Sequence, residues 1–96
     1  MTAPMSDAPS RRFSAVPFRY NGPGGWTFVE VPDEAAPARA GAWGRAPVRA
    51  HVNGHTWDTS VWRDTRRGWM LPLPAKVRKG LAAGEPVDVE LSDLPT

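Results

Sequence analysis

Histidine, aspartate and serine side chains lie close together in segment 51–60, where their types suggest hydrolytic chemistry. His55, Asp58 and Ser60 are the residue types of a catalytic triad, which needs all three side chains on one side of the backbone. In an extended strand successive side chains point to opposite faces, so Asp58 and Ser60 share a face and His55 lies on the other. The chain also has no Gly-x-Ser-x-Gly elbow. The sequence therefore predicts no catalytic residues here.

Metal chemistry is also disfavoured by the residue types present. His51 and His55 are the two histidines of the chain, and the sequence contains no cysteine. Two histidines four residues apart on a helix would share a face and suggest a metal site. In a hairpin, His51 and His55 point to opposite faces. The absence of cysteine excludes disulfides and thiolate ligands. We expect no metal and no cofactor.

Five tryptophans in 96 residues are many for a chain of this length. By alternation Trp26, Trp57 and Trp69 occupy core positions, where tryptophan supplies the volume of a small barrel. Trp43 is assigned to a loop and Trp62 to the more polar face. An alternative interpretation makes Trp62 and nearby arginines an aromatic and cationic platform for a planar or anionic ligand.

Cationic side chains concentrate in one predicted turn and one predicted helix. They are Arg63, Arg66, Arg67, Lys76, Arg78 and Lys79. The simplest interpretation is solvated surface, and the alternative is contact with phosphate or carboxylate groups. With 12 Lys and Arg against 10 Asp and Glu, the net charge is +2. This balance excludes polyanion binding through bulk charge but allows a local basic patch.

A β-hairpin positions most of these residues. Asn53-Gly54 lies between two alternating runs and predicts a two-residue type I′ turn, which needs positive φ at both positions. That turn sets Val52 opposite His55 and Arg49 opposite Asp58. The predicted core face of the hairpin consists of Val48, Ala50, Val52, His55, Trp57, Thr59 and Val61.

Further strands and one helix surround this hairpin. Strands are predicted at 13–20, 26–31, 69–73 and 87–91, and a short helix at 75–81. Pro72 has no amide donor, so its strand is an edge or ends there. Residues 1–11 are small, polar and proline-containing, which predicts a disordered tail before a single β-barrel domain at 12–94.

The two halves of the chain resemble each other. Each half reads as strand, turn, Gly-Trp strand, proline, short helix and Pro-Val strand. The matched pairs are Trp26 with Trp69, Pro32 with Pro74, Pro47 with Pro86 and Val48 with Val87. This repeat predicts two β-β-α-β halves related by a pseudo-dyad. Neither half buries its own apolar face, so the two must interlock in one small barrel.

Two family resemblances agree with this architecture. The segment MLPLPAKVRKGLAAGEPVDVEL resembles the swapped-hairpin units of AbrB and MazE proteins, in which two chains form a double-split β-barrel. Residues 13–93 resemble more closely the bacterial DUF1905 family, a domain of unknown function. That resemblance rests on Gly25-Trp26-Thr27-Phe28-Val29, VNGHTWDTSV, Leu71-Pro72-Leu73 with Lys76-Val77-Arg78, and Gly84 with Val87 and Val89. It implies a mainly β, six-stranded double-split barrel with short helices, and it implies no function.

From these observations we expect a monomeric, non-catalytic module that binds a small ligand or a protein partner. The candidate ligand-binding residues are His55, Ser60, Trp62, Arg63, Lys76 and Arg78. No apolar run has the roughly 18 residues of a membrane span, and the first residues lack the apolar stretch of a signal peptide. We therefore expect a cytoplasmic protein.

Two other functions stay open. One is an AbrB-like nucleic-acid-binding or regulatory protein that uses Arg63, Arg66, Arg67 and Lys76. The corresponding loop of the first half, residues 21–25, carries no cation, which argues against a symmetric DNA-reading surface. The other is a small enzyme with a pocket at the barrel mouth, anchored by His55 or Arg78.

Overall fold

The computed structural model describes residues 10–20, 26–37, 44–82 and 84–94, and these form one curled antiparallel sheet. The strands are β1 (Ser10–Ala15), β2 (Phe18–Arg19), β3 (Thr27–Val31), β4 (Arg45–Val52), β5 (His55–Asp64), β6 (Gly68–Leu73) and β7 (Val87–Asp93). Their order in the sheet is β1-β7-β4-β5-β6-β3-β2. A 3-10 helix (Asp33–Ala35) follows β3, and helix α1 (Ala75–Arg78) follows β6. The prediction of a mainly β fold is confirmed, as a half-barrel.

The predicted hairpin is confirmed in turn and in register. Asn53 and Gly54 both have positive φ, 52° and 80°, as a type I′ turn requires. Val52 pairs with His55 and Arg49 with Asp58. The hairpin thereby sets which side chains of β4 and β5 face the core.

The described residues form seven strands rather than the predicted six. The predicted strand 13–20 divides at Val16 and Pro17 into β1, which pairs with β7, and β2, which pairs with β3. Pro17 has no amide hydrogen to donate, so the ladder stops there and the chain changes partner. Two consecutive pieces of chain thus lie at opposite ends of the sheet order.

β5 and β6 show a similar division of partners. The first part of β5 pairs with β4, and the last three residues, from Trp62 onward, pair with β6. Beyond Met70, the described residues pair β6 only with β3, so one side of the strand has no ladder at Pro72. The missing amide donor of Pro72 is tolerated at this locally unpaired edge, in agreement with the prediction that its strand is an edge or ends there.

The helices are shorter than predicted. In the first half, the described residues form a single 3-10 turn, which ends because Ala36 precedes Pro37 and adopts an extended conformation with ψ of 154°. In the second half α1 covers four residues rather than the predicted 75–81. Val77 of α1 is fully buried, and Leu81 beyond it packs against the core.

The core is made of aliphatic side chains that alternate along the strands. Its buried members include Val29, Val31, Val48, Ala50, Val52, Val61, Leu71, Leu73, Val89 and Leu91. Trp69 is buried with 8% exposure, and Trp57 is half-buried and packs against this core. The core prediction is therefore confirmed for these two tryptophans.

The core prediction for Trp26 is wrong, because 55% of this residue is exposed. Trp69 lies five residues before Pro74, whereas Trp26 lies six residues before Pro32. An offset of one residue turns a strand side chain to the opposite face. The two tryptophans matched in the predicted repeat therefore face opposite sides of the sheet.

Arg11 joins the first strand to two distant segments. Its Nε donates a hydrogen bond to the carbonyl of Ala35 at 2.9 Å, and its guanidinium forms a salt bridge with Asp93 at 2.6 Å. Ser10 and Arg11, which the sequence analysis assigned to the tail, begin β1. Residues 1–9 of that tail, Trp43 and the loop 21–25 lie outside the described residues. Within the described part of the chain, no helix is long and apolar enough to cross a bilayer.

Candidate binding surface

The outward side of the curled sheet divides into two chemically different faces. We define the polar face, on β1, β7, β4 and the start of β5, as Arg12, Ser14, Arg49, His51, Thr56, Asp58, Asp88 and Glu90. We define the aromatic face, on and beside β2, β3, β6 and the end of β5, as Phe18, Tyr20, Trp26, Phe28, Trp62 and Met70. Both faces follow from strand alternation. Residues such as Val29, Val61 and Leu71 point into the core, so the residues next to them in each strand point outward.

Phe28 lies at the centre of the aromatic face. Its ring centroid is 6.2 Å from that of Phe18, 5.9 Å from that of Tyr20 and 6.4 Å from that of Trp26. The Tyr20 ring meets Phe28 edge-on, and the Trp26 ring stacks on it at 25°. These rings lie within the range in which aromatic pairs stabilise each other. They therefore hold one another in fixed positions on the sheet.

Three of these rings are nevertheless open to solvent. Trp26 is 55% exposed, Trp62 45% and Tyr20 42%. Met70 also points outward, yet it is only 6% exposed because the surrounding side chains cover it. The aromatic face is thus a packed apolar layer whose outermost surfaces are aromatic.

Two arginines lie against rings of this face. The guanidinium carbon of Arg45 is 4.9 Å from the centroid of the Trp62 ring, and that of Arg67 is 4.2 Å from the Phe18 ring. Arg67 also forms a salt bridge with Glu30 at 3.1 Å. At these distances a guanidinium is attracted by the negative face of the ring. The face therefore presents cations at two of its margins.

A groove of about 250 Å³ runs across the aromatic face. Tyr20, Phe28, Trp62 and the buried Met70 line it. Arg63 and Asp64 complete the lining. It is an open surface site with mainly aromatic walls and charged groups at one end, which suits a flat ligand with a polar edge.

Asp64 fixes the turn between β5 and β6. Its Oδ2 accepts hydrogen bonds from the backbone amides of Arg66 at 3.0 Å and Arg67 at 2.9 Å. An aspartate side chain that bonds the amides two and three residues later is a typical turn-forming arrangement. This turn holds Arg67 in position to reach Phe18 and Glu30.

The structure brings part of the predicted site together. Trp62 and Arg63 line the groove, and Arg67 lies over a ring of the same face. Arg66 is exposed in the turn beside them. The hypothesis that Trp62 and nearby arginines form an aromatic and cationic platform for a ligand stays a prediction.

The other predicted residues lie elsewhere. His55 is half-buried at the start of β5, about 23 Å along the strand from Trp62. Ser60 is half-buried opposite Pro47. Lys76 and Arg78 are exposed on α1, and Arg78 donates a hydrogen bond to Thr27 at 3.4 Å. The six predicted ligand-binding residues do not form one site.

Five residues of the face and its second arginine were not among the predicted site residues. They are Phe18, Tyr20, Trp26, Phe28, Met70 and Arg45. A signal was present, because Trp26 and Phe28 alternate with Val29 and Val31, which must face the core. Arg45 was detectable only through the hairpin register, which sets it opposite Trp62.

The polar face is stabilised by contacts between neighbouring strands. The pairs are Arg49 with Asp58 (2.7 Å), Ser14 with Asp88 (2.8 Å), His51 with Thr56 (2.6 Å) and Arg12 with Glu90 (3.6 Å). A groove of about 510 Å³ lies along this face. In the described ranges, no three His, Asp or Glu residues are grouped closely enough to hold a metal ion.

The pair Arg49–Asp58 gives a prediction about proton affinity. The hydrogen bond from Arg49 lowers the pKa of the Asp58 carboxyl below its ordinary value of 3.8, and the same bond raises the pKa of Arg49. Because the folded pKa of Asp58 is depressed, its stabilising effect is present above the ordinary value and is lost as pH falls through the folded value. Arg49→Gln is expected to return the Asp58 pKa toward 3.8.

This prediction is checked by NMR titration of the Asp58 carboxyl carbon. Arg12→Gln serves as control, because Arg12 faces Glu90 and should leave the Asp58 pKa unchanged. An unchanged Asp58 pKa in Arg49→Gln would show that the side-chain hydrogen bond is not its cause.

Comparison with known families now adds to this geometry. A domain of unknown function, DUF1905, matches residues 13–91. The chain belongs to the DUF1905 family. The resemblance noted from the sequence is thereby confirmed, and no curated protein matches the chain. The segment that matches DUF1905 includes every residue of the aromatic face and every residue of the polar face except Arg12.

Proposed function

We propose that this DUF1905 domain is a non-catalytic binding module that binds its partner through the aromatic face. The observation that carries the proposal is the exposure of Tyr20, Trp26 and Trp62 on one continuous surface. Keeping large rings in water forfeits the free energy that their burial would provide. Contiguous exposed apolar surface of this kind marks interaction sites in soluble proteins.

The contrast with the polar face supports this choice. On the polar face the charged groups engage one another across strands, as in the bonds of Asp88 with Ser14 and Asp58 with Arg49. Such exposed pairs contribute little free energy, but they satisfy the groups involved. In the part of the chain that the structure describes, Tyr20, Trp26 and Trp62 stay more than two-fifths exposed, so this face gains most from a partner.

Two observations favour a surface site over a pocket at the barrel mouth. The interior is filled by aliphatic side chains, with Val29, Val48 and Leu71 each at 0% exposure. Of the two anchors suggested for an enzyme, Arg78 is exposed on α1 and His55 lies at the far end of β5. These positions do not converge on one reacting centre.

The proposal is tested by NMR with 15N-labelled full-length chain and two probes, adenosine 5′-monophosphate and a proline-rich decapeptide. At least one probe is expected to shift resonances of β3, β6 and the indole of Trp62. A double variant, Trp26→Ser with Trp62→Ser, should lose these shifts, and Arg12→Gln should keep them. Shifts confined to the polar face, or no shifts with either probe, would overturn the proposal.

We also infer that the strands close as a double-split barrel formed by two related halves of a single chain, acting as a monomer. The continuous segment of β1 and β2 divides its pairing between β7 and β3, just as β5 divides its pairing between β4 and β6. The pairs β4–β7 and β3–β6 then lie on a common two-fold axis. A crystal structure in which the two halves superpose poorly would contradict this inference.

The inferred symmetry bears on the binding surface. In register, Phe18 lies opposite Phe28 and Trp62 lies opposite Met70, so Phe18 and Trp62 occupy equivalent places. Each of these two rings has an arginine against it. The aromatic face would then offer two similar margins to one partner.

A further inference from the structure

We infer that the aromatic face binds single-stranded nucleic acid, with bases stacked on its exposed rings and phosphates paired with the arginines around them. This inference rests on the proposed function and names the partner for the same surface. It differs from the AbrB-like alternative, because neither a helix nor a loop enters a duplex groove and the sheet surface itself makes the contacts.

The exposed rings supply the stacking positions. Trp26 stacks on Phe28 on one side and is 55% exposed, and Trp62 has Arg45 on one side and is 45% exposed. Tyr20 adds a third open ring at the groove between them. Every nucleobase has a flat π surface, so sheet proteins that bind single strands use aromatic side chains of this kind.

The charges around the rings match a phosphate backbone. Arg45 and Arg63 lie beside Trp62, and Arg67 lies over Phe18. Arginine is suited to both tasks, because its planar cation binds phosphate and stacks on aromatic rings.

Few acidic groups oppose these arginines. Glu30 is paired with Arg67, and the Asp64 carboxylate accepts backbone amides of the turn. Within the described ranges, the margin of the face carries the cations Arg45, Arg63, Arg66 and Arg67. The chain as a whole has a net charge of only +2, so this face is a local basic region.

The same features disfavour two other partners. Bases in a duplex are already stacked on each other, so their flat surfaces are not available to the rings. A proline-rich or apolar protein segment would use the rings but would give the surrounding arginines no counter-charge. Single-stranded nucleic acid is the partner that uses both the rings and the cations.

The test measures binding of a fluorescein-labelled deoxythymidine dodecamer to the full-length chain by fluorescence anisotropy. We expect saturable binding accompanied by quenching of tryptophan fluorescence. The logarithm of the association constant should fall with the logarithm of salt concentration with a slope of about −2, which corresponds to three neutralised phosphates. The matching duplex should bind at least about tenfold more weakly, since it offers no free base surface.

Matched variants distinguish base stacking from simple apolar contact. They also distinguish the effect of a charge on this face from the effect of the net charge of the chain. Trp62→Leu is expected to weaken binding of the dodecamer about tenfold. Trp62→Phe retains a ring, so its affinity should stay close to that of the unchanged chain. Arg45→Gln should weaken binding and reduce the salt slope by about 0.7. Arg49→Gln removes the same charge from the same strand, but on the polar face, and should change neither quantity.

Each contrary outcome is distinguishable from failure of the proposed function. If the dodecamer does not bind while the proline-rich decapeptide still shifts the aromatic face, the nucleic-acid inference is overturned and the proposed function stands. Equal binding of duplex and single strand would overturn it, as would full binding by Trp62→Leu. Equal loss in Arg45→Gln and Arg49→Gln would show non-specific charge attraction and overturn it too.

Discussion

Trp69→Ala is expected to lower the free energy of unfolding by about 3–5 kcal/mol, whereas Trp26→Ala lowers it by only about 1 kcal/mol. Trp69 is buried with 8% exposure inside the core, so removing its ring leaves a large cavity. Trp26 is mostly in water, and its loss removes mainly the stacking contact with Phe28. The same substitution therefore has very different effects at two positions that the sequence repeat makes look equivalent.

The comparison is made by urea denaturation followed by far-ultraviolet circular dichroism, since tryptophan fluorescence changes with the substitutions themselves. Equal losses of stability in the two variants would contradict the placement of Trp26 and Trp69 on opposite sides of the sheet. A loss below about 1 kcal/mol for Trp69→Ala would contradict its placement in the core.

Gly54→Val is expected to lower the free energy of unfolding by about 2 kcal/mol. Gly54 has φ of 80°, in the left-handed region that a β-branched residue adopts only with strain. A Cβ at this position would meet no heavy atom within 4 Å, so the loss would come from the backbone conformation and not from a clash. The hairpin turn between β4 and β5 should be weakened directly.

Gly54→Asn is the matched control. Asparagine enters the left-handed region more readily than other residues with a side chain, so the expected loss is well below that of valine. The measurements are urea denaturation and hydrogen exchange of the amides of Val52 and His55. Equal stability of the valine and asparagine variants would show that the turn does not constrain this fold.

The hairpin shows what local sequence determines in this fold. Asn53-Gly54 specifies a turn with two positive φ angles, and the turn alone sets the register of β4 and β5. From that register the position of Arg49 opposite Asp58 follows without any tertiary information. The core face of both strands was predictable for the same reason.

The split of the first strand was harder to predict. Residues 13–20 read FSAVPFRY, in which the apolar alternation is interrupted at Val16 and Pro17. Whether a proline ends a strand or sits at a bulge depends on which strands lie beside it, and those strands are distant in sequence. Phe18 and Tyr20 of the aromatic face lie directly beyond this break, so their place in the site was missed with it.

The placement of Arg67 over Phe18 shows a second limit. It requires the turn fixed by Asp64 and also the pairing of β2 with β3, two features that are independent in the sequence. A long, flexible side chain reaches a ring only after both features are in place. Contacts of this kind follow from the assembled sheet and not from spacing along the chain.

The pairing of β1 with β7 has a consequence for synthesis on the ribosome. Among the described strands β1 is the first to be made, and within that set it pairs only with β7, the last one. Until β7 emerges this ladder cannot form, and loop closure over nearly the whole domain must precede it. Folding is therefore expected to be completed after translation of β7, with β1 docking late.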